Sequence, residues 1–375
     1  MLASLNIHHL RNLTESKLGP LSLHNVVYGV NGSGKTSLLE AAHILGTARS
    51  FRSGGAKSLI THGETSYVIR GERRLPGGGV VSMGVQREKA GGISLRVAGE
   101  PSRSVAQLAD ELPLLLINAD SFDLLIGEPA NRRRFMDWGV FHVEHDLREH
   151  RQRFQRALTQ RNHLLRRGKL EHSELEVWTR DLAVHAEQVS AGRERFLDTL
   201  RTVFEPIIQV LAPEIGPVDL AYRRGWDANS SYEEALHRGL ASDQEQGFTQ
   251  TGPQRADIRV TVGGYSAADT LSRGQQKLLV CALKLAQGQM LAGEQGEVLY
   301  LIDDLPSELD AERCERVCRM LAAMRAQTLI TCVSRSAIPV EWLGSDTSVA
   351  MFHVKQGEVG LASPEIDNGK TAQSR

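Results

Sequence analysis

The segment Gly29-Val30-Asn31-Gly32-Ser33-Gly34-Lys35-Thr36 constrains this chain more than any other part of it. Gly29 and Gly34 are spaced as G-x-x-x-x-G and followed directly by Lys and Thr. Ahead lies the apolar run Val26 to Tyr28. Behind it, Leu38, Leu39, Ala42 and Leu45 recur at helical spacing until Gly46. A strand, a glycine-rich turn and a helix in that order make a phosphate-binding loop. Without side chains in the way, backbone N–H groups turn inward onto phosphate oxygens, and the helix adds its positive end. The pattern predicts Lys35 on the β- and γ-phosphates and the Thr36 hydroxyl on Mg²⁺. ATP and Mg²⁺ are the expected cofactors, and Gly29, Val30, Asn31, Gly32, Ser33, Gly34, Lys35 and Thr36 the expected contacts.

The motif needs an acidic strand. Val298-Leu299-Tyr300-Leu301-Ile302-Asp303-Asp304 is a buried-strand run ending in two carboxylates. Asp303 is expected to hold Mg²⁺ through its water shell. Asp304 is expected to polarise the attacking water, with Lys35 completing the catalytic set. No nucleophile–His–acid set stands elsewhere, so chemistry other than ATP hydrolysis is unsupported.

Two more segments narrow the class. Leu271-Ser272-Arg273-Gly274-Gln275-Gln276-Lys277 opens an amphipathic helix and resembles the signature motif of ABC-type ATPases. Ser307-Glu308-Leu309-Asp310 resembles their D-loop. The resemblance implies that Ser272, Arg273, Gly274 and Gln275 contact the γ-phosphate held by a second copy, an anion at a helix N-terminus. It thus implies a homodimer with two ATP molecules at its interface.

Between these motifs, from about Asn131 to Thr202, there is no proline, and apolar positions recur at three and four. Two or three long helices are expected, as an antiparallel hairpin broken near Arg167-Gly168, with Pro206, Pro213 and Pro217 closing the region. Before them, Leu2 to Ile7 and Val26 to Tyr28 read as strands with a turn at Gly19-Pro20 between them, and Tyr67 to Arg70, Val80 to Val85 and Ile93 to Ala98 as an antiparallel sheet, with hairpin turns at Pro76 to Gly79 and Gly91-Gly92. The expected fold is α/β: an ABC/SMC-type P-loop ATPase head with a mixed sheet and flanking helices, plus an inserted helical lobe. Residues 1–125 and 245–375 form the head, and residues 126–244 the insert.

The long insert sets the chain beside SMC-like proteins, and at this point it resembles the RecF family of bacterial DNA replication and repair proteins. Leu10-Arg11-Asn12 is similar to the family's Phe-Arg-Asn segment, which implies Arg11 and Asn12 as nucleotide contacts. Ser50-Phe51-Arg52-Ser53, Gly127-x-Pro129-x-x-Arg132-Arg133-x-Phe135-x-Asp137-Trp138, Gln160-Arg161-Asn162 and Thr251-Gly252-Pro253 also match. Gln254 stands where the family often has His. No His follows Thr328 to Ser334, where transporter ATPases carry one, and Asp304 replaces their usual Glu. Both departures suit slow hydrolysis.

The resemblance implies an ATP-dependent DNA-binding recombination mediator, dimerising on duplex or gapped DNA. It further implies partnership with RecR, and through it RecO, to load RecA in DNA repair, replication-fork maintenance and SOS induction. The formal net charge of −1 excludes a uniformly basic nucleic-acid binder. A local basic face is still available in Arg132, Arg133, Arg134, Arg148, Arg151, Arg153, Arg156, Arg161, Arg166 and Arg167, whose forks suit phosphate. The competing reading is a solvated face paired with Glu144, Glu149, Glu171 and Glu174.

No apolar run is long enough to cross a bilayer, and the first ten residues show no export signal, so a cytoplasmic, nucleoid-associated location is expected. Cys281, Cys314, Cys318 and Cys332 lack ligands at zinc spacing and are expected to be buried thiols. The polar stretch from Glu365 to Arg375 is expected to fray. The alternatives are a transporter ATPase subunit, which predicts coupling to a membrane protein, and an architectural SMC-like fragment, which would need longer coiled coils.

Overall fold

The computed structural model describes residues 1–52, 54–144, 146–167, 172–295, 297–344 and 349–362. Ser53, Gly168, Glu171 and the stretch from Glu365 to Arg375, all invoked above, lie outside the described residues. The chain divides into two compact units, residues 1–116 with 298–375, and residues 117–297. These limits differ from the expected ones at 125/126 and 244/245. Residues 245–297, which carry the signature helix, pack with the inserted unit because that helix shares its core.

The first unit is built from two six-stranded sheets. One is antiparallel throughout, with Leu2–Leu10 hydrogen-bonded to both Leu13–Leu18 and Ser66–Arg74. Leu2, Leu5, Ile7 and Leu10 are buried. The other sheet has the spatial order Glu358–Leu361, Val349–Lys355, His24–Tyr28, Gln327–Cys332, Leu299–Ile302, Leu114–Ile117. Its inner pairings are parallel. Parallel strands are covered on both faces, which is why Gln327–Cys332 is buried at every residue and carries no alternation. The helix Lys35–Thr47 lies in the same core, through Leu38, Leu39, Ala42 and Leu45.

One polar residue is trapped in this sheet. His24 has no exposed surface; its Nδ1 lies 3.0 Å from Thr328 Oγ1, and its Nε2 is buried without a partner. Burial lowers its pKa to about 4. The unfolded chain, with an ordinary imidazole near 6.5, therefore binds the proton first. Stability is present above that pH and falls between about 6.5 and 4, by about 2 kcal/mol at pH 5. Urea unfolding at pH 7 and pH 5 should show His24→Gln losing about 2 kcal/mol less than wild type between the two.

The second unit centres on the helices Pro129–Val143, Leu147–Arg166, His172–Leu211 and Arg273–Gln295. Leu147–Arg166 buries Phe154, Ala157, Leu158, Leu164 and Leu165, the stripe expected of an amphipathic helix. It packs against Leu182, Ala186 and Val189 of the 40-residue helix His172–Leu211, as the expected hairpin. Pro206 does not end that helix, contrary to expectation; it lies inside it. Its missing N–H ordinarily breaks a helix. Here the turns on either side of it are held by Phe204, Ile207, Ile208 and Leu211, all buried. A three-stranded antiparallel sheet, Val218–Arg223, Asp257–Val262 and Tyr265–Ser266, completes the unit.

Candidate functional site

The loop after His24–Tyr28 is shaped by its glycines. Gly29 and Gly34 have φ of 159° and 118°. A Cβ on Gly29 would meet the Val354 carbonyl oxygen at 2.3 Å, so no other residue fits there. The turn between the last two strands also holds the loop. Gly357 N donates to Ser33 O at 2.8 Å, and Ser16 Oγ donates to Gly357 O at 2.6 Å. Lys35 Nζ is buried against its own loop, donating to Gly29 O at 2.7 Å and Val30 O at 3.1 Å.

The acidic strand Leu299–Ile302 is separated from the loop's strand by Gln327–Cys332. Across that gap Thr36 Oγ1 donates to Asp303 Oδ1 at 3.1 Å, and Thr331 Oγ1 donates to the same oxygen at 2.7 Å. Burial pushes the Asp303 carboxyl above its ordinary range, against the two threonine hydrogen bonds, with Asp304 adding to the rise. A divalent cation beside it would reverse that penalty. A hydroxyl and a carboxylate this close form a hard-oxygen pair of the kind Mg²⁺ takes.

Asp304 has φ of 51° in the left-handed region. Its N–H donates to Thr331 Oγ1, and its Oδ2 accepts from Ser307 Oγ at 2.6 Å. Its Oδ1 is buried with no partner. An unpartnered carboxylate oxygen on a strained residue suits a group that is completed by something bound.

Arg11, Asn12, Lys35, Thr36, Asp303 and Asp304 all line one cleft of about 620 Å³, inside the roughly 300–1,000 Å³ range of small-molecule sites. The Arg11 guanidinium is braced: Nε and Nη2 donate to the two oxygens of buried Glu40, at 3.0 and 2.9 Å. Asn12 ties the loop to its helix, donating to Gly32 O and accepting from Ser37 Oγ. Sequence reasoning missed Glu40, Ser37 and Thr331. Glu40 had a signal, a charge set among buried apolar positions of its helix. Arg52 also lines the cleft, 3.8 Å from Glu40, where the sequence had marked it only as part of a pattern.

In the second unit, Ser272 caps the helix Arg273–Gln295. Ser272 Oγ accepts from Gln275 N at 3.4 Å, and Gln275 Oε1 accepts from Ser272 N at 3.0 Å. Ser272 and Arg273 are exposed, and Gly274 and Gln275 are half-buried. The Ser307-to-Asp310 segment ends as the cap of the helix Ala311–Ala323, with Asp310 accepting from Arg313 N at 3.0 Å.

Comparison with known proteins decides the family. The model of the RecF/RecN/SMC N-terminal domain matches residues 1–359. The chain is 44% identical to the DNA replication and repair protein RecF of Stutzerimonas stutzeri, over 96% of each chain. It is 45% identical to that of Pseudomonas putida, over 96% of this chain and 97% of the relative. The chain belongs to the RecF family. A solved structure, described as the recombination mediator protein RecF-ATPrS in RecFOR pathway, shares the fold with a TM-score of 0.84. It is 24% identical and covers 97% of this chain and 98% of its own. The expected ABC/SMC-type ATPase head is therefore the fold of this RecF-family chain, and the transporter reading loses its ground.

Several RecF-like segments in the second unit serve architecture. Arg132 donates to both oxygens of Asp257 and to Gly127 O, beside Pro129 at the start of its helix. Asp137 accepts from Arg193, whose Nη1 donates to Pro253 O at 2.6 Å. Gln254 Nε2 donates to Thr251 O at 2.6 Å, which also accepts from Tyr232 Oη.

Arg161 corrects the expected basic face. It has no exposed surface and is paired with Asp243 at 2.8 Å and Thr249 at 2.6 Å. It holds the insert together and cannot reach DNA; helical spacing alone does not tell an inward arginine from an outward one. Arg151 and Arg153 pair with Asp137 and Glu149. Arg134 and Arg167 are exposed. The four cysteines are buried and form no disulfide with one another, and burial pushes Cys314 and Cys332 up to about 12. Among the described residues no helix is long and apolar enough to cross a membrane.

Proposed function

We propose that this RecF-family chain is an ATP-dependent DNA-binding recombination mediator in which nucleotide acts as a dimerisation switch. The observation that carries the proposal is the Thr36–Asp303 pair, 3.1 Å apart beside Lys35 at the mouth of a glycine-shaped loop. MgATP would bind there, with Thr36 and Asp303 holding the ion and the loop amides and Lys35 holding the phosphates. The ion would neutralise phosphate charge and polarise the transferred group.

The exposed N-terminus of the signature helix supports a shared site. Ser272, Arg273, Gly274 and Gln275 of one copy would complete the γ-phosphate shell of its partner. Asp304 would orient the attacking water. With Val333 and Ser334 where transporters carry a His, hydrolysis would be slow, releasing the dimer. The mediator role is what the relatives' names and the ATP-bound structures of similar proteins support. RecR, RecO and RecA are the proposed partners, and duplex or gapped DNA the proposed substrate. The head is proposed to span 1–125 and 245–375 functionally, since the signature acts in ATP binding.

Gel shift of a gapped duplex, with and without ATP, tests the reading. Shift that appears only with nucleotide, alongside dimer formation by light scattering, is expected. Equal binding without nucleotide by a chain that stays monomeric would overturn it.

A further inference from the structure

Two adjoining clefts of the second unit carry an arginine pattern that the nucleotide site does not use. The larger, of about 710 Å³, is lined by Arg223, Arg224, Trp226 and Arg255, with Glu194 and Asp257 as its acids. The smaller, of about 340 Å³, shares Arg223 and Asp257 and adds Arg259. The three-stranded sheet sets the spacing. Arg223 lies opposite Asp257, and Arg259 opposite Ala221, so all of them share one face. Asp219 is at the far end of that face, opposite Thr261.

Four arginines face Glu194 and Asp219 as the acids left to them, so the track keeps an excess of positive charge. Asp257 is opposite Arg223, but its two oxygens are occupied by Arg132, at 2.7 and 3.2 Å. Among the described residues, Arg223, Arg255 and Arg259 form no ion pair, and all three are exposed. Arg224 stacks over Trp226 at 4.7 Å and donates only to the carbonyls of Asp227 and Ser230. Arg224 Nε and Trp226 Nε1 are buried donors with no acceptor. Guanidiniums that outnumber the carboxylates around them and form no ion pair among the described residues, beside orphaned donors, call for an anion that brings several acceptor oxygens.

We propose that Arg223, Arg224, Arg255 and Arg259 form a track for the phosphodiester backbone of a nucleic-acid strand. The two clefts share Arg223 and Asp257, with Arg259 on one side of that junction and Arg224 and Arg255 on the other, so a polymer of phosphates matches them better than one free phosphate. This deepens the DNA-binding reading and rests on it. It also places a contact on the three-stranded sheet, apart from the insert helices in which Arg161 is buried.

The test is fluorescence anisotropy with duplex and single-stranded oligonucleotides, in ATP, at several salt concentrations. Wild type is compared with Arg223→Ala/Arg259→Ala, both at exposed positions. Nucleotide affinity and circular dichroism serve as controls, and Arg259→Gln replaces the double variant if that one fails to fold. Loss of two contacts should flatten the plot of log K against log salt by about 1.8 on duplex or about 1.4 on a single strand. Whichever strand form shows the change identifies the source of the phosphates. An unchanged slope with intact ATP affinity would overturn the track alone. An unchanged slope with lost binding of poly-glutamate would assign the face to an acidic protein and overturn it also. Absence of DNA binding by wild type in ATP would instead overturn the functional reading beneath it.

Discussion

Lys35→Met is expected to weaken ATP binding by about 10- to 100-fold and to abolish ATP-dependent dimerisation. Met keeps the length and apolar stem of the side chain but removes its charge and all three donors. Hydrogen bonds to charged groups contribute about 1.5–3 kcal/mol each, which converts to that range of affinity. The loss falls twice. Lys35 Nζ braces Gly29 O and Val30 O within the loop, and the same ammonium is the group placed to meet the β- and γ-phosphates. Titration with a fluorescent ATP and sedimentation with and without nucleotide read the two effects separately. Near-normal affinity together with a nucleotide-driven dimer would remove Lys35 from the site.

Asp304→Asn should have the opposite effect on the dimer. Hydrolysis should fall by about 10²- to 10⁴-fold, the usual contribution of a positioned general base. ATP binding should survive, because Asp303 and Thr36 are untouched. The substitution is mild structurally: Asn is one of the few residues that tolerates the left-handed backbone seen at Asp304, and its carbonyl can still accept from Ser307 Oγ. Dimer formed with ATP should therefore persist on DNA long after wild type has dissociated. Single-turnover hydrolysis and the lifetime of the ATP-bound dimer check it; a hydrolysis rate within threefold of wild type would assign the base elsewhere.

How much of this was legible in the sequence depends on how local each feature is. The phosphate loop was readable because glycine, lysine and threonine carry their roles at fixed spacing. The acidic strand was readable because four buried apolar residues run straight into two carboxylates. Thr331, which holds Asp303 and Asp304 together, was invisible, since only the parallel pairing of Gln327–Cys332 with Leu299–Ile302 brings it there. Arg161 was misread for the same reason in reverse. It stands in an arginine-studded helix, and only its pairing with Asp243, 82 residues on, turns it inward. Pro206 misled because a local rule was overridden by the buried Ile207, Ile208 and Leu211 around it. The arginine track went unseen because Arg223 and Arg259 are joined by strand register, with no spacing in the chain to announce them.

The central claim is that each ATP is held by the loop of one copy and the signature helix of another. Lys35→Met leaves the signature intact, and Ser272→Arg leaves the loop intact. Each variant alone has two defective sites per dimer. Mixed, the two make a heterodimer with one composite site in which both halves are wild type. Förster transfer between differently labelled Lys35→Met and Ser272→Arg chains measures that directly. The account predicts transfer that appears on adding ATP to the mixture and is absent when either variant is paired with itself. A mixture that stays dark with ATP, while wild type labelled in the same way gives transfer, would contradict a site shared between copies.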